Sequence, residues 1–144
     1  MVAPSSDLLW ECVKSSSSFI RKSRNAPVMT AEPGNLCGLN SYKYSGLASK
    51  QVLDVSVVKK DKKQTVMLTK RHAKGGRSLR PPSTFVSEGL KKEAKKGVAS
   101  IAKATEGKFY RSDLKDLAVK KYLKIKQSFK TNKNVPKKRT AEKK

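Results

Sequence analysis

From Ala48 to the C-terminus the chain carries 29 Lys and Arg against 8 Asp and Glu, while residues 1–47 carry 5 against 3. A segment so cationic repels itself and has little apolar material, so each of its elements must bury a narrow stripe beneath a charged surface. The last third shows such a stripe most plainly. Leu114, Leu117, Ala118, Tyr122, Ile125 and Phe129 recur at helical spacing, which predicts a helix capped by Ser112, with Asp113 suiting the positive end of its dipole. Lys115, Lys120, Lys124, Lys126 and Lys130 take the flanks and far side. From Lys130 the pattern stops, and a tail with seven Lys or Arg, Lys130 included, and one Glu runs to the end.

A chain of 144 residues suits one domain. Its apolar fraction of 36% is below the roughly 45–50% of ordinary globular domains, so a modest core with basic extensions is expected. We divide the chain into a single α+β domain, 1–129, and an extended basic tail, 130–144. The net charge of +23 calls for a partner of dense negative charge, and nucleic acid is the obvious one. Cys12 and Cys37 are too few for a disulfide scaffold, and one histidine, His72, leaves no metal-ligand spacing. No cofactor or metal is expected. Free thiols fit a reducing compartment, and apolar runs of three residues predict neither signal peptide nor membrane span. An intracellular protein with no membrane partner follows.

Taken in order, Ser5 to Lys14 predicts a short helix, capped by Ser6 or Asp7 and apolar at Leu8, Leu9, Cys12 and Val13. Phe19–Lys22 reads as a strand, with Val28–Thr30 as a short partner. Glu32-Pro-Gly-Asn-Leu36 is turn chemistry. In Asn40-Ser-Tyr-Lys-Tyr-Ser-Gly-Leu47, a strand would point Tyr42 and Tyr44 one way and Lys43 the other. That pair is open to two readings: stacking on nucleobases, or half-buried sheet residues under a helix. Leu53, Val55 and Val57 alternate with polar residues, residues 59–64 read as a charged loop, and Val66 and Leu68 return inward, which predicts a hairpin. Lys70 to Pro82 holds five Lys or Arg, His72, Gly75-Gly76 and Pro81-Pro82, so no regular element is expected there. Such an extended basic loop suits a phosphate backbone, with arginine forks gripping phosphate in bidentate fashion. Ser87 to Thr105 predicts a second helix with Leu90, Ala94, Val98 and Ile101 as its stripe, a Glu88–Lys92 pair on its surface and Gly107 ending it. Gly97 lies on the stripe and permits close approach of the sheet or the last helix.

Ser18-Phe-Ile, Glu32-Pro-Gly-Asn-Leu36 and Asn40-Ser-Tyr-Lys-Tyr-Ser-Gly-Leu47 together resemble the N-terminal signature of a eukaryote-specific ribosomal protein family, numbered twenty-eight in the large-subunit series. Phe109-Tyr-Arg-Ser-Asp-Leu114 resembles its second signature at about the right distance. One position departs: the family usually has proline where this chain has Ser112, and either residue suits a helix entrance. The resemblance spans Leu8 to Phe129. It implies a structural protein of the large subunit, partnered by large-subunit ribosomal RNA and neighbouring large-subunit proteins, in the cytosolic ribosome with nucleolar transit during assembly. The same domain opens a nucleolar ribosome-assembly factor, which the short length and basic tail fit less well.

Function classes can be ranked. The carboxylates are scattered among cations and no nucleophile–base set is apparent, so neither an enzyme nor a small-molecule substrate is expected. A lysine-rich chromatin or DNA-binding protein would share the tail but not the tyrosine-bearing sheet domain. The fold expected is α+β: a small antiparallel sheet, a short N-terminal helix, two C-terminal basic helices packed on the sheet, and the tail. RNA contacts are expected from Arg21, Lys22 and Arg24 beside the first strand, Lys43 between the tyrosines, and Lys70, Arg71, His72, Lys74, Arg77 and Arg80 in the loop. Lys91 and Lys95 on the second helix, Lys108 and Arg111 before the third, and Lys115, Lys120, Lys121 and Lys124 on it extend that surface. Lys137, Lys138 and Arg139 of the tail are expected to touch RNA, and Pro136-Lys-Lys-Arg139 resembles a signal for a nuclear import receptor.

Overall fold

The computed structural model describes residues 4–60 and 63–129. The tail therefore lies outside the described residues. Helix α1 (Ser6–Val13) opens the chain, capped by the Ser5 hydroxyl accepting from the Leu8 amide, one residue earlier than expected. Strands β1 (Ile20–Arg21) and β2 (Met29–Thr30) pair antiparallel as a small separate sheet. A second sheet has the order β3-β4-β5, from β3 (Leu53–Lys60), β4 (Lys63–Arg71) and β5 (Phe85–Gly89), antiparallel throughout. Between β4 and β5 sits one helical turn, α2 (Gly75–Ser78), and a 3-10 turn at Pro81–Ser83. Helices α3 (Ala94–Thr105) and α4 (Lys115–Ser128) follow. The α+β class is as expected, but with two sheets in place of one.

The hairpin alternation is realised, with Val55 opposite Leu68 and Val57 opposite Val66. Leu53, Val55, Val66 and Leu68 are buried, while Val57 is only half-buried near the open end. Pairing persists to Lys60 and Lys63, so most of the stretch expected to be loop is strand. Leu90, Ile101, Ala104, Leu114, Ala118 and Tyr122 close over these strand residues as one core. Burying each of the leucine, isoleucine and valine side chains among them contributes roughly 1.5–3 kcal/mol before the cost of ordering it.

Other expectations are corrected. The helix predicted over Ser87–Thr105 divides into β5 and α3, and Glu88 pairs with Lys70 across the sheet instead of with Lys92. Leu90 keeps its place in the core, but at the exit of a strand; the edge groups of β4 recruit Val86–Gly89 as ladder partners. Tyr42 and Tyr44 lie in a turn, not a strand, because Asn40 and Ser41 fold back through their amides onto Val28 and Leu39. Ser112 begins a 3-10 turn, Ser112–Leu114, and caps nothing with its side chain. After α3 a further 3-10 turn, Glu106–Lys108, intervenes, and the left-handed residue that ends it is Phe109 instead of a glycine.

The two N-terminal motifs form one hydrogen-bonded unit. Buried Glu32 accepts from the Asn35 side-chain amide at 3.1 Å, the Gly46 amide at 3.0 Å and the Ser45 hydroxyl at 3.4 Å. Asn35 in turn accepts from the amides of Cys37 and Gly38 and donates to the Leu39 carbonyl. Gly34 sits at φ 82°, and a Cβ there would lie 2.5 Å from Val52 Cγ1. A buried carboxylate is tolerable only when its oxygens are satisfied, and here backbone and side-chain donors satisfy them.

Gly97 faces Tyr122, whose ring is fully buried and whose hydroxyl donates to the Lys91 carbonyl at 2.9 Å. Burial pushes that phenol above its ordinary pKa. A Cβ on Gly97 would overlap the Tyr122 hydroxyl. Gly97→Ala should therefore destabilise by about 1–3 kcal/mol from overpacking, despite the roughly 1 kcal/mol that alanine gains in a helix. Gly76→Ala, facing open space in α2, should be neutral or stabilise by up to about 1 kcal/mol. Urea denaturation of the two variants checks both; equal effects would mean that α3 and α4 are not in close contact.

Candidate nucleic-acid interface

The 70–84 segment is held by its own side chains. Ser78 donates to the Gly75 carbonyl, Ser83 to the Arg77 carbonyl and Thr84 to the Arg80 carbonyl, all at 2.8–2.9 Å. The expectation that this segment would be irregular fails in detail. Lys70 and Arg71 belong to β4, and serine and threonine hydroxyls stabilise short turns where glycine and proline would otherwise leave open chain. His72 accepts the Lys74 amide at Nδ1, and its Nε2 lies 3.5 Å from Arg77 Nη1. Lys74, Arg77 and Arg80 are exposed and have no ion-pair partner among the described residues.

Two arginines of the expected set turn inward. Arg71 donates from Nη1 to the carbonyls of Leu47 and Ser49, and burial lowers its pKa from the ordinary guanidinium value, with Tyr110 opposing. Arg111, at φ 48°, donates to the Lys43 carbonyl at 2.8 Å and the Gln51 carbonyl at 3.0 Å, and forks onto Asp113. Between them Tyr110 places its hydroxyl against the amide and carbonyl of Val52, both at 2.9 Å, and the amide of Arg71 at 3.3 Å. Leu53 pairs with Lys70, so Val52 and Arg71 would be the next rung. The phenol takes that rung's place and ends the β3–β4 ladder.

These bonds bring distant cations together. Lys70, Arg71, His72 and Lys108 line one hollow of about 450 Å³ with Val86, Glu88 and Tyr110. Arg71 and His72 also line a neighbouring cavity of about 480 Å³ whose walls include Leu9, Ala48, Leu79 and Tyr110. Lys43 and Arg111 meet Lys50 around a third hollow of about 340 Å³. Lys91 lies with Lys92 and Lys126 at a fourth. Lys50, Lys92 and Lys126 were absent from the expected set, and only their place beside these hollows in the folded chain singles them out. Arg21, Lys22 and Arg24 are exposed but line none of these four.

Several lysines are partnered within the fold. Lys121 bridges Asp54 at 2.7 Å and the Leu36 carbonyl at 3.0 Å, fastening α4 to β3. Lys115 pairs with Glu106 at 2.6 Å and Lys70 with Glu88 at 3.0 Å. Lys95, Lys108, Lys120 and Lys124 are exposed without such a partner among the described residues. Lys137, Lys138 and Arg139 lie outside the described residues. Tyr42 donates to the Ser6 hydroxyl at 2.9 Å and tilts against Trp10, centroids 6.0 Å apart, fastening α1. Tyr44 packs on the core with Lys43 Nζ 5.7 Å from its ring centre. The two rings are thus not side by side.

Among the described residues no group of three His, Cys, Asp or Glu could hold a metal ion, and no helix is long and apolar enough to cross a membrane. Burial raises the Cys37 thiol above its ordinary pKa, against the opposing pull of Lys121.

The ribosomal L28e protein family matches residues 8–128. A Dictyostelium discoideum protein named large ribosomal subunit protein eL28 is 46% identical over 54 residues, which are 38% of this chain and 40% of that protein. A Caenorhabditis elegans protein of the same name is 33% identical over 97 residues, 67% of this chain and 71% of that protein. The match spans both signatures and every described strand and helix from β1 to α4, and the chain belongs to the ribosomal L28e protein family.

Proposed function

We propose that this chain is a structural constituent of the large subunit of the cytosolic eukaryotic ribosome, and that it stabilises folded ribosomal RNA through phosphate contacts. The observation that carries the reading is the division of its cations. Arg71, Arg111 and Lys121 hold the scaffold together, while Lys74, Arg77, Arg80, Lys91, Lys120 and Lys124 stand exposed with no ion-pair partner among the described residues. Family membership supplies the context. Exposed cations neutralise phosphates and release counterions, and A-form grooves are met by shape. Neighbouring large-subunit proteins complete the surroundings. The tail adds seven cations and offers residues 136–139 to an import receptor on the way to nucleolar assembly. In a fractionated lysate the protein should travel with large subunits and resist a moderate-salt wash. Recovery mainly on chromatin after removal of RNA would favour the DNA-binding alternative, and recovery only with nucleolar precursors would favour an assembly factor.

Binding to large-subunit ribosomal RNA at several salt concentrations separates the two kinds of cation. Arg77→Ala and Arg80→Ala should each lower the slope of log affinity against log salt by about one while leaving the denaturation midpoint in place. Deleting 130–144 should lower the slope by roughly 2 to 4, for contact by about half of its cations. Arg111→Ala should instead cost about 1–3 kcal/mol of stability, because the Lys43 and Gln51 carbonyls lose their donor. A slope unchanged by tail deletion would refute the phosphate reading.

A further inference from the structure

Phe109 is 93% exposed, and its backbone sits at φ 49°, ψ 38°. Both are unfavourable for a bulky apolar residue in a free protein. No other large hydrophobic among the described residues exceeds 57%. The conformation is imposed from both sides. The Phe109 amide donates to the Glu106 carbonyl at 3.1 Å and the Tyr110 amide to the Thr105 carbonyl at 2.8 Å, which closes the end of α3. Tyr110 then points inward to its ladder position, and Arg111, also at positive φ, is fixed to two loop carbonyls. The ring therefore stands on a rigid base, already ordered for a partner.

Its surroundings indicate the partner's chemistry. Lys108 and Tyr110, the residues on either side, both line the hollow that carries Lys70, Arg71, His72 and Glu88; Glu88 is already paired with Lys70, and Lys108 stands exposed with no ion-pair partner among the described residues. An aromatic face beside an exposed, unpaired lysine suits a base next to its own phosphate, whereas a protein partner would have to bring an acid together with an apolar socket. We infer that Phe109 stacks on an unpaired nucleobase of the RNA whose phosphate lies against Lys108. The inference rests on the RNA-binding reading above. It adds a contact that recognises single-stranded character, which phosphate neutralisation alone does not.

The test uses the full chain, a short adenine-rich single-stranded RNA, and an abasic version of the same backbone. The wild-type protein should prefer the base-bearing strand by about 5- to 100-fold. Phe109→Ala and Phe109→Leu should each abolish that preference without changing the salt slope, and Phe109→Trp should keep it. Phe109→Asn should raise the melting temperature by relieving the left-handed strain, yet lose the preference as alanine does, so folding and binding move in opposite directions. A preference that survives in Phe109→Ala, or that leucine keeps as well as phenylalanine, overturns the stacking inference and leaves the phosphate reading standing. So does a Phe109→Ala protein that binds both RNAs as wild type but fails to enter large subunits, because the ring then fits a protein socket. Failure of the wild type to bind either RNA removes both readings.

Discussion

The Tyr110 hydroxyl holds the molecule's two halves together. It satisfies the Val52 amide and carbonyl and the Arg71 amide, three backbone groups that the β3–β4 ladder would otherwise leave open at its last rung. A single backbone hydrogen bond contributes about 1 kcal/mol net, but stranding a half-buried donor or acceptor costs about 1–3 kcal/mol. The phenol therefore matters more for what it prevents than for what it adds. It also sets its neighbours: with Tyr110 inward, Arg111 reaches back to the Lys43 and Gln51 carbonyls, and Phe109 is left outside. The second signature is thus a fastening device whose by-product is a projecting ring.

Acidic residues are few in the cationic part of the chain, and three of the six described there sit at joints. Asp54 fastens α4 to β3 through Lys121, Glu88 links β5 to β4 through Lys70, and Glu106 ties the end of α3 to Lys115 at the start of α4. Exposed pairs contribute at most about 1 kcal/mol, so their worth lies in register more than in stability. Lys121 differs, because it donates to the Leu36 carbonyl as well and Asp54 is largely shielded. Lys74, Arg77, Arg80, Lys120 and Lys124, which find no acid at a joint among the described residues, are exposed at the surface, where they repel one another. On the proposed function, the tension in the free protein and the affinity in the complex have one source.

Much of the fold was legible wherever one period governed a segment. The alternation Leu53, Val55, Val66, Leu68 specified a hairpin, and the stripe Leu114, Ala118, Tyr122 specified α4. Gly97 was read as a point of close approach and meets Tyr122 there. The failures share a cause. Leu90 keeps helical spacing with Ala94, Val98 and Ile101, and nothing local reveals that Val86–Gly89 pair with a strand some 18 residues earlier. The ladder hydrogen bonds of β4 outweigh the local periodicity. Likewise Tyr42 and Tyr44 alternate as a strand would, but Tyr42 is claimed by Ser6 and Trp10, residues more than thirty positions away.

The candidate site was legible in charge and not in role. Arg71, Arg77, Arg80 and Arg111 read alike in a sequence, since each lies in a basic context with glycine, proline or an aromatic nearby. What separates them is the supply of carbonyls. Arg71 answers the Leu47 and Ser49 carbonyls and Arg111 the Lys43 and Gln51 carbonyls, a planar fork of donors serving two such groups at once. Arg77 and Arg80 sit in turns whose carbonyls accept from the Ser83 and Thr84 hydroxyls, and both residues are exposed.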